Sequence, residues 1–220
     1  PPRGGGDIHV STIDGYAYDY HGIGEFIYCM DEQNDFGIQI KSDKRFESES
    51  VSWMTGFAVK LGPSTLIGLS LNETKAYVWL DNQLTNASNY EFLDFKVSIT
   101  DTLILIERIN FFSIHIQYNW FSYPYGYFDI TFSLYKQFST FGLCGTSDSN
   151  PYNEFTSSSG KSYKYNEIND FGDSLRLPLA KSALDKWHWN ISNIAFEYRI
   201  NTLRKQSILA HLLPRCNLMK

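Results

Sequence analysis

The stretch that decides the fold is "TLILIERINFFSIHIQY", residues 102–118. Both halves are rich in β-branched and aromatic residues, and a break at Asn110 separates them. Apolar side chains recur at every second position, as at Ile114 and Ile116. A period of two is that of a β-strand with one buried face, so both halves are predicted to be strands.

The same pattern extends from Gly24 to about Phe141. Short strands at this spacing, with no helical segments between them, are typical of an antiparallel sandwich or barrel. We therefore predict a mainly β fold, an antiparallel β-sandwich whose core includes Phe57, Val59 and Leu61. The further predicted strands are "EFIYCM" (25–30), "FGIQIK" (36–41), "FAVKLG" (57–62), "KAYVWLD" (75–81), "FKVSIT" (95–100) and "FDITFSLY" (128–135).

The character of the sequence changes after Leu177. The run from Ser182 to Asp185 has the pattern of a helix capping box, and apolar residues then recur every three or four positions. We divide the chain into a linker (1–6), a β domain (7–177) and a largely helical C-terminal extension (178–220). The apolar stripe of the extension consists of Leu184, Trp187, Ile191, Ile194 and Tyr198.

Composition and charge exclude some classes of function. The net charge is −5 and no basic run is present, which argues against nucleic acid as a partner. No apolar run approaches the ~18 residues of a transmembrane helix. The first residues, "PPRGGG", carry neither Met nor a signal peptide, so we interpret the chain as a mature or excised part of a larger protein.

Asn72, Asn86 and Asn190 each begin a triplet that fits the N-glycan acceptor pattern. Three acceptor sites favour a secreted glycoprotein, although such triplets also arise by chance in a chain rich in Asn and Ser. The three cysteines are one pair plus one left over in the simplest arithmetic.

The loop "FGLCGTSDSNPYNEF", residues 141–155, has three interpretations: a polar turn, a calcium loop or a cysteine nucleophile. Calcium takes six to eight oxygen ligands, although this loop lacks the EF-hand spacing. A nucleophilic Cys144 needs a base, but no histidine has a motif spacing, and His115 on its predicted strand is expected to be packed. A polar turn and a calcium loop both remain as interpretations. The oxygens that could bind calcium belong to Asp148, Asn150, Asn153 and Glu154.

Three separated segments resemble the von Willebrand factor type D domain. They are "GDIHVSTIDGYAYDYHGIGEFIYC" (6–29), "FDITFSLYKQFSTFGLCGTSDSNPYNEF" (128–155) and "NDFGDSLRL" (169–177). Members of that family tend to open with Gly-Asp-Pro-His and to close with "GLCGN", an Asn/Asp-rich run and a terminal "F…NSW". The resemblance covers about residues 6–177 and implies a calcium site that joins the two ends of the domain.

The resemblance also implies the calcium ligands. Asp14, in "TIDG", is at the position of the family's upstream carboxylate. Thr146 and Glu154 stand where the family has Asn and Asp. Each keeps a side-chain oxygen, but the Thr side chain is shorter than Asn and the Glu side chain is longer than Asp. The other implied ligands are Asp148, Asn150 (through its backbone carbonyl) and Asn153.

Three positions depart from the family pattern. Ile8 replaces the proline, so we predict no self-cleavage after Asp7. Phe141 replaces the first cysteine of a Cys-Gly-Leu-Cys pair, so dithiol exchange and multimerisation through this motif are not expected. Gly24 replaces another cysteine, which places the chain in a cysteine-poor branch.

In that branch the implied disulfide joins Cys29 and Cys144, and Cys216 is free or paired elsewhere. The expected function is that of a secreted, calcium-binding structural or adhesive module of a larger extracellular glycoprotein, as in a matrix, mucus-like layer or surface filament. Its expected partners are other extracellular modules, including copies of itself, and no enzymatic activity is expected. The alternatives are an appended domain of a lipid-carrying yolk protein and a secreted luciferase.

Overall fold

A computed structural model of the chain describes residues 3–5, 8–31, 36–44, 50–61, 65–72, 75–80, 83–84, 89–92, 94–122, 125–136, 139–157 and 159–177. Most of these residues lie in strands. The strands are β1 (Arg3–Gly5), β2 (His9–Ser11), β3 (Ala17–Asp19), β4 (Gly24–Asp31), β5 (Phe36–Asp43), β6 (Trp53–Leu61), β7 (Thr65–Asn72), β8 (Lys75–Leu80), β9 (Gln83–Leu84), β10 (Asn89–Phe92), β11 (Phe95–Ile99), β12 (Leu103–Arg108), β13 (Phe112–Ser122) and β14 (Tyr125–Leu134). A 3-10 turn (Tyr165–Glu167) and helix α1 (Ile168–Ser174) follow the strands.

The strands form two antiparallel sheets. The eight-stranded sheet has the order β10-β11-β12-β13-β14-β1-β2-β3, and the six-stranded sheet runs from β4 to β9 in chain order. Most neighbours in space are therefore neighbours in sequence, as expected for strands joined by short turns. The prediction of a mainly β, antiparallel sandwich is confirmed.

Aromatic rings from the two sheets meet in the core of the sandwich. Phe36 of the six-stranded sheet stacks on Phe132 of the eight-stranded sheet, with ring centroids 5.3 Å apart, and lies 4.5 Å from Phe112. Phe57 meets Phe128 edge to face at 5.3 Å. All five rings are at most 3% exposed. Burial of one such side chain stabilises the fold by about 1.5–3 kcal/mol.

The eight-stranded sheet has one buried face, and its other face is mostly exposed or half-buried. On β13, Ile114 and Ile116 are buried, whereas His115 and Gln117, which alternate with them, are exposed. The expectation of a packed His115 is therefore wrong. Its neighbours along the strand point into the core, and a strand sends successive side chains to opposite faces.

The six-stranded sheet is buried on both faces along β4, β5 and β6. One face carries the core rings, whose rows include Phe26–Ile40–Phe57. The opposite face carries the rows Ile27–Gln39–Ala58 and Met30–Gly37–Lys60, and it is buried as well. We call six side chains of this face, each at most 9% exposed, the outer patch: Glu25, Ile27, Met30, Gln39, Ala58 and Lys60.

The outer edge of β4 is covered by two segments from the far end of the domain. Phe141 forms an antiparallel bridge with Met30, and Arg176 forms one with Phe26. The amide of Leu177 donates to the carbonyl of Glu25 at 2.9 Å. An exposed strand edge is a site of unwanted pairing, and these segments protect it.

Some sequence expectations differ from the structure, and others fall outside it. Part of the expected linker is strand β1, which pairs with β14 and β2, because ladder hydrogen bonds need only backbone groups. Strand β7 was not among the predicted strands. The C-terminal extension from residue 178, the side chain of Leu61 and Cys216 lie outside the described residues.

Candidate functional site

The loop that follows the sandwich begins as an addition to the edge of β4. Phe141 and Met30 exchange two backbone hydrogen bonds of 2.9 and 3.0 Å. The amide of Leu143 then donates to the carbonyl of Ile27 at 3.1 Å, and that of Cys144 donates to the carbonyl of Tyr28 at 2.7 Å. The start of the loop is thus held by backbone hydrogen bonds to β4, as a short added strand would be.

Cys144 is joined to Cys29 of β4 by a disulfide, with Cα atoms 5.3 Å apart. Both cysteines are fully buried, and they lie 115 positions apart in the sequence. The predicted disulfide is confirmed. A disulfide sulfur is not a thiolate, so the interpretation of Cys144 as a nucleophile does not hold.

Two glycines of "GLCG" are required by close approaches. At Gly142 (φ +128°), an added Cβ would lie 2.6 Å from the backbone oxygen of Tyr28. At Gly145 (φ +78°), a Cβ would overlap the carboxylate of Glu154. Glycine is the residue that adopts such φ values without strain, and here it also makes room for a neighbouring strand and a carboxylate.

Asp14 connects the start of the domain to this loop. Its Oδ2 accepts the backbone amides of Asp148 (3.1 Å) and Asn150 (2.9 Å). The amide of Ile13 also donates to the carbonyl of Cys144, at 2.9 Å. The turn at "TIDG" is therefore bound to a loop about 134 positions away, which is where the sequence placed the two halves of the site.

The side chains of the loop are joined to one another. Asp148 accepts the side-chain amide of Asn153 at 2.6 Å and the backbone amide of Asn150 at 3.0 Å. The hydroxyl of Thr146 donates to the Oδ1 of Asn153 at 3.3 Å. The hydrogen bond from Asn153 is the main cause that lowers the pKa of Asp148, because it stabilises the charged form.

Glu154 is the buried member of the site. It is 2% exposed, and its Oε2 accepts the backbone amide of Thr146 at 3.2 Å. Its Oε1 is buried and has no hydrogen-bond partner. Burial raises the pKa of Glu154 to about 7, and the nearby charges of Asp14 and Asp148 add to the shift. Removal of a carboxylate from water disfavours its charged form.

All six sequence-predicted ligands thus belong to one hydrogen-bonded network. It runs from Asp14 to Asp148 and Asn150, from Asp148 to Asn153, and through Thr146 to Glu154. Within the described residues, no three His, Cys, Asp or Glu side chains form a group that could hold a metal ion. Any cation here must therefore take amide, hydroxyl or backbone oxygens in addition to carboxylates.

Two contacts that position the loop were not foreseen. The hydroxyl of Tyr18 donates to the carbonyl of Leu143 at 2.6 Å, and burial raises its pKa well above its ordinary value. The hydroxyl of Thr12 accepts the backbone amide of Tyr16 at 2.9 Å, which closes the turn that carries Asp14. Both residues sit in the "STIDGYAYDY" segment, where alternation on short strands was the only local signal.

The end of the domain closes over the start of β4 through Arg176. Its guanidinium donates to the carbonyl of Ile23 and, at 2.6 Å, to Asp173, and it lies 4.7 Å from the ring centroid of Phe26. The hydroxyl of Tyr20 also donates to Asp173, at 3.0 Å. We call this group the Arg176 clasp.

The glycan acceptor at Asn72 occupies the end of β7, opposite Lys75 at the start of β8. Residues 73 and 74 of this triplet lie outside the described residues. Asn86 and Asn190 lie outside the described residues.

A known protein family matches most of the chain. The sequence profile of the von Willebrand factor type D domain matches residues 3–161. No curated protein gives a significant match. None of the helices among the described residues has the length and apolar character needed to cross a bilayer.

Proposed function

Because the chain belongs to the von Willebrand factor type D domain family, we propose that it is a secreted structural module whose two ends are held together by calcium. The family consists of extracellular modules that take part in the assembly of larger proteins. In this proposal the module is a rigid unit of such a protein. It presents its surface to neighbouring modules or to further copies of itself, and it performs no chemical reaction.

The observation that carries the proposal is the bonding of Asp14 to the loop after Cys144. The acidic side chain and the loop come from opposite ends of the domain, and the Cys29–Cys144 disulfide lies beside them. A cross-link and a polar network at one point would hold the ends in a fixed relation. Fixed ends are what a building block of an assembly needs.

Calcium fits the oxygens that this site offers. It is a hard cation that binds carboxylate, amide and backbone carbonyl oxygens. The buried Oε1 of Glu154 lacks a donor, and a buried acceptor without a partner is costly unless a cation or a water satisfies it. Asp14, Asp148 and Glu154 would supply negative charge, and Thr146, Asn150 and Asn153 would supply neutral oxygens. When bound, calcium would neutralise the repulsion between the carboxylates.

Glycosylation is the second part of the proposal. Asn72 is the last residue of β7, so a glycan there would be attached where the backbone pairing of β7 with β8 ends. Peptide mapping after enzymatic deglycosylation in heavy-oxygen water would detect it as a mass increase at Asn72. An unmodified Asn72 in protein secreted by animal cells would contradict this part of the proposal.

The calcium proposal is tested by thermal unfolding in EDTA and in increasing calcium. A ligand present at 100 times its Kd stabilises the native state by about 2.7 kcal/mol, which is several degrees for a domain of this size. We expect that rise in the original chain and its loss in Asp14→Asn and Asp148→Asn. Asp101→Asn, on an exposed turn far along the chain, is the matched control and should respond as the original does.

If the unfolding temperature does not rise with calcium up to millimolar concentration, the proposal that calcium holds the two ends together is overturned. A shift that survives in both site variants would place the cation elsewhere and would also overturn it. The fold and the family assignment do not depend on either result.

A further inference from the structure

The outer patch is buried although it faces away from the eight-stranded sheet. Ile27, Gln39 and Ala58 form one cross-strand row, and they are 5%, 1% and 0% exposed. The core rows, such as Phe26–Ile40–Phe57, occupy the opposite face and meet the rings of the eight-stranded sheet. The outer patch therefore needs a different cover from the one that the sandwich provides.

The composition of the patch indicates a cover that is both apolar and polar. Ile27, Met30 and Ala58 are apolar, whereas Gln39 leaves its buried Oε1 without a hydrogen-bond partner. Buried amide oxygens are normally hydrogen-bonded, so this atom marks a place where a donor would stabilise the fold. An amphipathic segment with polar groups beside an apolar stripe has that character.

The described part of the chain ends at the rim of this patch. Leu177 donates its amide to Glu25, which is itself a member of the patch. The next four residues can span at most about 14 Å. A helix over residues 182–198 would be about 25 Å long, which is close to the length of the eight-residue strands β4 and β5, at about 27 Å.

The charges of the two parts are complementary. Residues 178–220 contain seven Lys and Arg and two Asp and Glu, a formal charge of +5. The residues before them contain twelve Lys and Arg and 22 Asp and Glu, a formal charge of −10. Opposite net charges favour association over distances of about a Debye length. Two copies of residues 1–177, each with a formal charge of −10, would repel one another.

We propose that the C-terminal extension docks on the outer patch of its own chain through the apolar stripe of Leu184, Trp187, Ile191, Ile194 and Tyr198. The occupant is thus a segment of this protein, and the six-stranded sheet becomes the middle of three layers. The proposal does not depend on calcium, because the patch and the calcium loop share no residue.

The extension offers a matched pair of tryptophans for the test. At 100° per residue, Trp187 lies within the stripe and Trp189 lies on the opposite face of the predicted helix. Hydrogen exchange of residues 182–198 is measured by mass spectrometry in the full chain, in Trp187→Asp and in Trp189→Asp. We expect exchange at least tenfold faster in Trp187→Asp and nearly unchanged in Trp189→Asp.

A variant of the patch tests the other side of the contact. Ala58→Glu should release residues 182–198 to the same extent as Trp187→Asp, whereas Gln117→Glu on the exposed face of β13 should not. Protection of β13 amides reports whether the body of each variant is folded. If Ala58→Glu unfolds, the comparison of the two tryptophan variants still tests whether the extension is docked.

Equal exchange in the two tryptophan variants would overturn the proposal. So would fast exchange of residues 182–198 in the original chain. Sedimentation of the same samples gives the oligomeric state, and we expect a monomer throughout. A dimer that Trp187→Asp dissociates would show that the extension docks on a second copy, which also overturns docking within one chain.

Discussion

The two sheets of the sandwich differ in what they do for the protein. The eight-stranded sheet buries one face and leaves the other mostly exposed or half-buried, so its main contribution is the shared core. The six-stranded sheet is buried on both faces along β4 to β6, and its first strand also bears the disulfide and pairs with residues 141–144 and with the end of the domain. The eight-stranded sheet therefore contributes mainly to the core. The six-stranded sheet contributes to the core and also holds the segments that follow the sandwich.

This difference predicts that equal changes will have unequal effects in the two sheets. Substitutions on the outer face of the eight-stranded sheet meet solvent, where most changes alter stability by less than about 0.5 kcal/mol. Substitutions on β4 to β6 meet neighbours on either side. The four experiments below test this contrast, in order of decreasing expected effect.

Removal of the disulfide should have the largest effect. The double variant Cys29→Ala, Cys144→Ala opens a loop of 115 positions, and the chain-entropy model gives a loss of about 3–5 kcal/mol for a loop of this length. The free energy of unfolding is measured by denaturant titration. Cys216→Ala serves as the control for loss of a thiol. A loss below about 1 kcal/mol would show that the loop is held mainly by its hydrogen bonds.

The same substitution in both sheets tests the contrast directly. Gln39→Glu places a carboxylate on a face where Gln39 is 1% exposed, and we expect a loss of about 2–4 kcal/mol at pH 8. Gln117→Glu, on the exposed face of β13, should cost less than about 1 kcal/mol, including repulsion from Asp129 on the neighbouring strand. Equal losses of unfolding free energy in the two variants would contradict the difference in burial between the two sheets.

Glu154 should give the free energy of unfolding a characteristic dependence on pH in EDTA. Its pKa in the folded protein is about 7, above the value of about 4.3 in an unfolded chain. The folded state therefore holds this proton more tightly, so the associated stability is present below about pH 4.3 and is lost as pH rises through 7.

Glu154→Gln should remove that contribution. Between pH 4.3 and 8, the difference in unfolding free energy between the original and the variant should change by about 3 kcal/mol, with the original losing stability relative to the variant as pH rises. Unfolding is followed at several pH values, with the exposed Glu91→Gln as the control. A difference that stays constant over this range would contradict the burial of an ionisable Glu154.

The Arg176 clasp should give the smallest effect. Its guanidinium is partly exposed, so Arg176→Gln should cost about 1 kcal/mol. The sharper readout is hydrogen exchange of the Ile27 amide, which donates to Leu175 and should exchange faster when the clasp opens. Arg108→Gln, which also removes an arginine stacked on phenylalanine rings and paired with an aspartate, is the control. Equal exchange in both variants would contradict the clasp.

Most long strands with a period of two could be predicted from the sequence, whereas the shortest strands could not, and β7, with eight residues, was also missed. Strands β4 to β6, β8 and β11 to β14 coincide with predicted runs. By contrast, β2 and β3 have three residues each, too few for a period to be visible. A period of two also does not say which face of a strand is buried. His115 is an example: it is exposed because Ile114 and Ile116, on either side of it, point into the core.

The site could be predicted as a set of residues but not as a set of contacts. The resemblance implied that Asp14 and the loop come together, and their hydrogen bonds show that they do. It could not show that Gly145 makes room for Glu154, or that Leu175 and Leu177 pair with a strand about 150 positions earlier. Such contacts depend on how distant segments meet, which no local pattern records.

The position of the disulfide has a consequence for a chain under tension. A pulling force applied before Cys29 and after Cys144 passes directly through the sulfur–sulfur bond, so the 114 residues between them carry no load. Reduction would let the same force unravel both sheets and would add roughly 380–410 Å of extended chain, at about 3.3–3.6 Å per residue. In an assembly that is stretched, this one bond would set whether the module behaves as a stiff link or as a long tether.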